Sequence, residues 1–307
     1  MRARNALEEA RQLVGAGWEP RVLEPSPPAV VDGMWFADDP TVGGDVDWRK
    51  WVDHHPEHGA WARERWLAGF GRVGQAPPTY NDTRRAFHRL AVYVISPARQ
   101  RANGKIALRW TLGGIGTPFF GVDEQVRIQG TDLVRQQGGQ AWTEPITTLD
   151  EAAAFVLDGP PDGSWAKTLD VPAPGPTGEE LPVDIDGARF LASWYGFAWS
   201  VLEELRADAE CDEPSRVQLW PEHFDASFDC PIADRRTTFG ASPGDASWET
   251  PYLYVSSPGT SHLSGELWNS TSFEGAVLPL VDLVDALDQR AAALEFFRVR
   301  RMALARA

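Results

Sequence analysis

Lys105-Ile106-Ala107-Leu108-Arg109-Trp110-Thr111-Leu112 is the stretch of sequence that decides the fold. Its isoleucine, two leucines and tryptophan fall at every second position, at 106, 108, 110 and 112. A period of two is typical of a β-strand that buries one face and leaves the other in contact with solvent. The sequence therefore predicts a sheet that packs one face against a core.

More strands follow this stretch in two groups, and each group is preceded by a helix. Gly130-Thr131 is a compatible tight turn between two of the strands, which predicts a hairpin. Thr148 and Glu151 form a capping box that opens a helix over Leu149–Leu157. The predicted strands are 124–129, 132–137, 140–146, 215–220, 223–229, 235–240 and 251–256.

Helices are predicted from apolar residues that recur with helical spacing. One begins near Asn81 and carries Phe87, Leu90 and Val94 on its apolar face. Ser96-Pro97 starts a further turn, and Gly104 stands where a C-terminal cap belongs. Longer helices are predicted over 188–208 and, in two pieces that meet at 287–288, over 276–304.

The chain divides into four parts by composition. Residues 1–80 are mainly helical, and 81–157 combine a helix with antiparallel strands. Residues 158–186 are rich in proline, glycine and acidic residues and predict a linker or long surface loop, and 187–307 hold a helix, strands and C-terminal helices. The absence of alternating βα units favours an α+β class, with antiparallel sheets that form a sandwich or a partly closed barrel covered by helices.

Composition restricts the class of partner. The 307-residue chain has a net charge of −15, which repels phosphate groups, so we expect no nucleic-acid partner and no membrane partner. Glu8 and Glu9 stand where a secretory signal needs apolar residues. Cys211 and Cys230 are too few for a disulfide framework, and we expect both as reduced thiols in a cytoplasmic protein. The oligomeric state stays open.

Leu219-Trp-Pro-Glu-His-Phe-Asp225 is the densest cluster of chemically capable residues. On a strand, His223 and Asp225 share one face while Glu222 points to the other. An imidazole beside a carboxylate forms a general base with its orienting partner, or two metal ligands. The alternative is a histidine that is hydrogen-bonded at a strand edge. We take Glu222, His223 and Asp225 as the candidate catalytic residues.

Gly240-Ala-Ser-Pro-Gly244 matches the G-x-S-x-G pattern of a nucleophile elbow. In that elbow the residue after the serine donates its N–H to the oxyanion hole, but here that residue is Pro243, which has none. The sequence that follows leads into another strand rather than a helix. We therefore interpret Ser242 as part of a turn and not as a nucleophile.

His54 and His58 have the i, i+4 spacing of metal ligands, although Pro56 between them interrupts a regular helix. A solvated turn is the alternative interpretation of this pair.

The glycine-rich stretch 113–121 lacks both the phosphate-loop and the dinucleotide patterns, and a hairpin or flap fits it better. The cofactor stays unknown from the sequence, and His54 and His58 are metal candidates in addition to the alternative of His223 with Asp225.

Charge is unevenly distributed along the chain. Seven arginine and lysine residues and no acidic residue occur between Arg84 and Arg109. Such a basic segment attracts an anionic ligand, or it pairs with carboxylates such as those of 158–186. The residues predicted to bind a ligand, through arginines and large aromatic rings, are Arg99, Arg109, Trp110, Trp220 and Tyr252.

Several short motifs occur together in the second two thirds of the chain. They are Ser96-Pro-Ala-Arg99, Gly113-Gly-Ile-Gly-Thr-Pro118, Trp220-Pro-Glu-His-Phe-Asp225 and Ser242-Pro-Gly-Asp245. As a set they resemble an uncharacterised family of actinobacterial proteins, a domain of unknown function, over about residues 85–300. The resemblance implies a bacterial intracellular setting and supplies no catalytic residue.

Three functions follow as hypotheses. The first is an intracellular protein that binds a small, anionic or neutral, molecule in an aromatic-lined pocket. The second is an enzyme, a hydrolase or isomerase with or without a metal, that uses Glu222, His223 and Asp225. The third is a structural or assembly protein in which the tryptophan-rich residues 1–80 pack against another chain.

Overall fold

The structure, a computed structural model, describes residues 2–4, 72–111, 114–118, 120, 124–137, 140–206, 208, 210–211, 213–233, 235–259 and 265–306. The helices are α1 (Tyr80–Leu90), which continues through a π-helical turn (Ala91–Ile95) into α2 (Ser96–Asn103), then α3 (Leu149–Leu157), α4 (Ile185–Arg206), α5 (Leu280–Val284) and α6 (Gln289–Ala305). A 3₁₀ turn covers Ser164–Ala166. The strands are β1 (Arg2–Arg4), β2 (Arg109–Thr111), β3 (Gly114–Gly116), β4 (Gln125–Gln129), β5 (Asp132–Gln137), β6 (Gln140–Pro145), β7 (Gln218–Trp220), β8 (Asp225–Ile232), β9 (Arg235–Ser242), β10 (Tyr252–Ser256) and β11 (Gly275–Pro279).

These strands form two antiparallel sheets within the described residues. The first has the order β1-β6-β5-β4-β3-β2 and the second has the order β11-β10-β9-β8-β7. The edge strands β2 and β7 meet at Leu108 and Leu219, which exchange backbone hydrogen bonds of 2.7 and 2.9 Å. The predicted α+β class with antiparallel sheets is confirmed. The sheets do not close into a barrel, so the sandwich is the arrangement that agrees with the structure.

Helix α4 is the element that joins the two sheets, because it packs against β2 and β3 of the first and against β8 and β9 of the second. Trp194 and Tyr195 on this helix are fully buried. The same apolar core runs from Val73 to Leu304 and draws on both 81–157 and 187–307. Among the described residues, no helix is both long and apolar enough to cross a membrane.

Local signals in the sequence fix several of the turns. Gly130 has a φ of 63° in the turn between β4 and β5, and Gly104 has a φ of 77° at the end of α2, as their glycine identity predicts. The hydroxyl of Thr148 accepts a 3.1 Å hydrogen bond from the Glu151 N–H at the start of α3. The predicted hairpin and the predicted helix start are therefore confirmed.

The prediction of helix throughout 276–304 was wrong at its beginning. Gly275–Pro279 form strand β11, which pairs with β10, and the helices begin only at Leu280 and Gln289. Ala276-Val277-Leu278 carries the same apolar residues that a helix face would, so periodicity alone does not separate the two. The predicted break at 287–288 is confirmed, since the Asp288 carboxylate accepts a hydrogen bond of 2.9 Å from the Ala291 N–H.

The acidic segment 158–186 lies against the helices that precede the first sheet. The Trp165 indole donates to the Val92 carbonyl at 2.9 Å, and the Tyr93 hydroxyl donates to the Pro172 carbonyl at 2.8 Å. Leu181 is buried in the core. The segment is therefore attached at several points along its length, and Asp170, Val171 and Pro172 are brought to the edge of a cavity described below.

Cys211 and Cys230 form a disulfide in the structure, with their Cα atoms 5.9 Å apart, which lies within the range of natural disulfides. The expectation of two reduced thiols was therefore wrong. The two cysteines are 19 positions apart in the sequence, and the fold brings them together because Cys230 lies on β8 and Cys211 lies in the loop after α4.

Candidate functional site

A cavity of about 830 Å³ lies between α1, the segment around Pro172 and one end of the second sheet. This volume is in the range of small-molecule sites. Its polar wall comes mainly from three places: the second and last turns of α1, the connection between β7 and β8, and strands β9 and β10 with the loop between them. Its apolar wall includes Val171, Pro172 and Phe273.

The connection between β7 and β8 is a tight turn, and the prediction that His223 and Asp225 share one face of a strand was wrong. The Phe224 N–H donates to the Trp220 carbonyl at 2.7 Å, and Phe224 has a φ of 56°. The chain therefore reverses over residues 221–224 before β8 begins at Asp225. This reversal brings Glu222, His223 and Asp225 to the same cavity, which regular strand alternation does not do.

Phe224 keeps this turn in place. A bulky residue with a positive φ is strained by roughly 1–3 kcal/mol, so its surroundings must hold it there. The ring is only 1% exposed and stacks on His88 with 4.8 Å between centroids. The Tyr195 hydroxyl, at the middle of α4, donates to the Phe224 carbonyl. The turn is thus fixed from both sides by the core.

Asp225 is the central carboxylate of the cavity wall. It is 6% exposed, and its Oδ2 accepts a hydrogen bond from the Tyr254 hydroxyl. Its Oδ1 is buried and has no hydrogen-bond partner. Burial raises the pKa of Asp225 to about 6, while the Tyr254 hydrogen bond and the nearby His223 lower this pKa and the Glu222 charge raises it. No hydrogen bond or ion pair between Asp225 and His223 is present in the described part of the chain.

Gly240 allows Tyr254 to reach Asp225. In the second sheet Gly240 on β9 lies between Ser227 on β8 and Tyr254 on β10. The Tyr254 ring crosses over Gly240, and a Cβ atom at position 240 overlaps the ring and its hydroxyl. Any side chain at position 240 therefore displaces the donor that binds Asp225.

The G-x-S-x-G match has a structural explanation. The Ser242 hydroxyl accepts a hydrogen bond of 3.1 Å from the Gly244 N–H, and no helix follows in the described residues up to Gly259. Gly244 has a φ of 99°, and a Cβ there lies 2.8 Å from the Trp248 and Glu249 carbonyl oxygens. Both glycines of the motif are therefore explained by close packing, Gly240 against the Tyr254 ring and Gly244 against backbone carbonyl groups. Ser242 itself lines the cavity, as part of the turn that was predicted.

Helix α1 contributes His88 and Arg84, one turn apart. The His88 Nε2 donates to the Pro221 carbonyl at 2.9 Å, and burial lowers the pKa of His88 to about 4, so the ring is neutral near neutral pH. The Arg84 guanidinium is buried and donates to the Gly244 carbonyl at 2.6 Å. These two side chains hold the β7–β8 turn and the loop after β9 against the helix.

Of the ligand-binding residues predicted from sequence, the structure brings Tyr252 to the cavity. The Tyr252 hydroxyl donates to the Asp245 carboxylate at 2.6 Å. Arg99 is fully buried and donates to the Ala107 carbonyl at 2.6 Å. Trp220 is half-buried at the end of β7 and does not line the cavity.

Arg109 and Trp110 also lie away from the cavity. Arg109 packs over the Trp199 ring at 5.5 Å, and the Trp110 indole donates to the Ala192 carbonyl at 3.1 Å on α4. The basic segment 84–109 therefore does not converge on one anion. Its one ion pair with 158–186 is that of Arg101 with Asp162, at 2.8 Å, among the described residues.

The metal candidates His54 and His58 lie outside the described residues. Within the described ones, no group of three or more histidine, cysteine or acidic side chains has the arrangement of a metal site.

Several residues of the site were not singled out from the sequence. Tyr254 lies two positions after Tyr252, and strand alternation places both on one face, so this signal was available. Arg84 and His88 have helical i, i+4 spacing, which also puts them on one face. Asp245 was interpreted only as part of a turn, and its role as the acceptor for Tyr252 depends on the loop geometry.

We expect Tyr254→Phe to lower the free energy of unfolding by about 1–2 kcal/mol near neutral pH, because it leaves a buried carboxylate oxygen without its donor. It should also raise the pKa of Asp225, since the Tyr254 hydrogen bond lowers that pKa. Urea unfolding at several pH values measures the first effect. Tyr93→Phe is the control, because it removes a hydroxyl that donates to the neutral Pro172 carbonyl. Equal losses at every pH for both variants would contradict the role given to Tyr254.

Comparisons of this chain with protein-family models, with curated proteins and with solved structures found no match. The resemblance to an actinobacterial family therefore stays a prediction.

Proposed function

We propose that this protein binds a small polar molecule in the cavity beside α1 and the second sheet. The observation that carries the proposal is Asp225, a buried carboxylate at the cavity wall with one oxygen held by Tyr254 and the other without a partner. Burying a charged group without full pairing costs free energy. Such a group is expected where a ligand completes the pairing.

The surroundings of Asp225 support a binding site. The cavity is large enough for a small molecule and combines apolar walls with a few convergent polar groups. Its polar groups are also fixed before any ligand arrives, since Phe224, Gly240 and Arg84 each hold one part of the wall in place. A rigid site loses little entropy on binding.

Native mass spectrometry of the protein purified from its own host tests the proposal. We expect a bound molecule of small mass that dissociates on mild activation. Asp225→Asn should reduce the bound fraction at least about tenfold, which corresponds to one lost charge-assisted hydrogen bond of about 1.4 kcal/mol or more. Asp229→Asn is the control, because Asp229 lies on the same strand but pairs with Arg236 and Thr238 at the surface. An equal bound fraction in the wild type, Asp225→Asn and Asp229→Asn would overturn the proposal.

Acid–base catalysis in the same cavity is the second candidate, and the pKa of Asp225 near 6 favours it. A carboxyl group with such a pKa exchanges a proton readily near neutral pH. Incubation of the purified protein with the molecule identified by mass spectrometry tests this function. Formation of a new product by the wild type and not by Asp225→Asn supports an enzyme, whereas unchanged ligand leaves binding as the function. The assembly hypothesis depends on residues 1–80, of which 5–71 lie outside the described residues.

A further inference from the structure

We propose that the molecule bound in this cavity is an organic cation, an amine or guanidinium compound, whose N–H groups bind the Asp225 and Glu222 carboxylates. This inference rests on the proposed function and names the class of its ligand. It differs from the anionic ligand that the basic segment 84–109 suggested. Arg84 and Arg85 of that segment line the cavity, whereas Arg99, Arg101 and Arg109 have their contacts elsewhere, and carboxylates outnumber guanidinium groups in the cavity wall.

The wall of the cavity carries more negatively charged than positively charged side chains. Five carboxylates and two guanidinium groups line it. The carboxylates are those of Asp170, Glu222, Asp225, Asp245 and Glu249, and the guanidinium groups are those of Arg84 and Arg85. His88 adds no positive charge near neutral pH, since its pKa is lowered to about 4. A cavity with this excess of negative charge attracts cations and repels anions.

The two arginines of the wall bind other groups than its central carboxylates. Arg84 donates through Nη1 to the Gly244 carbonyl at 2.6 Å while its buried Nε has no acceptor, and Arg85 forms an exposed ion pair with Asp82 one turn away. In the described residues, neither arginine forms an ion pair with Asp225 or Glu222. The Asp225 and Glu222 carboxylates therefore have no arginine partner within the described residues.

The carboxylates of the wall differ in whether their oxygens already accept hydrogen bonds from the protein. Asp245 accepts hydrogen bonds from Tyr252 and from the Ser247 and Trp248 N–H groups, so its oxygens are already paired. Asp225 Oδ1 and Glu222 Oε2 are both buried and lack a hydrogen-bond donor. Among groups that complete such pairs, an ammonium or guanidinium supplies both the donor and the opposite charge.

Aromatic rings beside these carboxylates fit the same class of ligand. Tyr254 lies next to Asp225 and packs edge-on against Phe273, with 6.0 Å between ring centroids, and Tyr252 lies 6.1 Å from Tyr254. All three residues line the cavity. Ring faces attract cations, more strongly where water is excluded.

Three probes of one shape and different charge test the inference: benzylammonium, benzyl alcohol and benzoate. Each is titrated into the isotopically labelled full-length protein, and backbone NMR shifts give both the dissociation constant and the residues perturbed. We expect benzylammonium to bind at least about tenfold more tightly than either other probe, a difference of about 1.4 kcal/mol. Its shifts should lie at Glu222, His223, Asp225 and Tyr254.

Asp225→Asn and Glu222→Gln should each remove most of this preference, while Asp229→Asn should keep it. The inference is overturned if benzoate or benzyl alcohol binds as tightly as benzylammonium, if the preference survives both variants, or if benzylammonium causes no saturable shift in the cavity. Binding of a neutral or anionic probe at these same residues would contradict only the assignment of a cationic ligand. The proposed binding function would still hold. Absence of any bound molecule in the native mass spectrum is the separate result that counts against the function.

Discussion

Asp225→Asn is expected to raise the free energy of unfolding near neutral pH by about 2–3 kcal/mol, an unusual direction for a change at a buried site. The pKa of Asp225 is raised from 3.8 to about 6 in the folded protein. Asparagine keeps an oxygen that accepts the Tyr254 hydrogen bond and removes the buried charge. Urea unfolding of both proteins at a series of pH values measures the effect.

The sign of the pH dependence follows from the raised pKa. The folded state binds the Asp225 proton more tightly than the unfolded chain does, so this group stabilises the fold fully below pH 3.8. That stabilisation is lost as the pH rises through about 6. The stabilities of the wild type and Asp225→Asn should therefore converge in acid, separate between pH 3.8 and about 6, and keep a constant difference at higher pH. A variant that is less stable than the wild type at neutral pH would show that the Asp225 charge stabilises the fold. A gain equally large for Asp229→Asn would show that the effect comes from the lower net charge of the chain and not from the burial of Asp225.

Gly240→Ala has the second large expected effect, a loss of about 3 kcal/mol from overpacking together with the lost Tyr254–Asp225 hydrogen bond. The added Cβ overlaps the Tyr254 ring, which packs against the rings of Tyr252 and Phe273. Differential scanning calorimetry measures the loss. Gly74→Ala is the matched control, because nothing lies within 4 Å of a Cβ at that position.

A double variant separates ring displacement from any other effect of alanine in strand β9. Gly240→Ala combined with Tyr254→Ala removes the ring that the new methyl group overlaps, so we expect the two losses to be clearly less than additive. Additive losses would mean that the cost of Gly240→Ala comes from elsewhere in the strand, and the explanation by Tyr254 would be abandoned.

The fold was largely predictable from the sequence because its elements carry local signals. The glycine turn at 130 and the Thr148 cap each specify a structure within a few residues. The alternation in 105–112 predicted a strand with one side in solvent, but β2 covers only Arg109–Thr111 and both of its faces are buried, so that part of the prediction was wrong. Strand β11 was missed because three apolar residues fit a helix face equally well. The long acidic segment 158–186 was predicted as a loop, but its attachment through Trp165 depends on contacts that are distant in sequence.

The candidate site was predictable only in part. Glu222, His223 and Asp225 were chosen for their chemistry, and they do line the cavity, although the strand geometry assumed for them was wrong. A positive φ at Phe224 is not expected of phenylalanine from sequence, since it arises from packing against His88. The pairing of Asp225 with Tyr254 depends on strand register across Gly240, which a single sequence does not specify.

The most direct test of the account is a carbon-detected NMR titration of the Asp225 side-chain carboxyl, with and without saturating benzylammonium and with Asp225→Asn for assignment. Glu222, His223, Tyr195, Tyr252 and Tyr254 are titratable groups around it. Carboxyl detection excludes the histidine and the tyrosines, and the signal that disappears in Asp225→Asn distinguishes Asp225 from Glu222. We predict a midpoint near 6 in the free protein. The midpoint should fall by about one unit or more when the cation binds, since a nearby positive charge favours the ionised form. A midpoint near the ordinary value of 3.8, unchanged by the cation, would contradict the claim that Asp225 is a buried carboxylate completed by a cationic ligand.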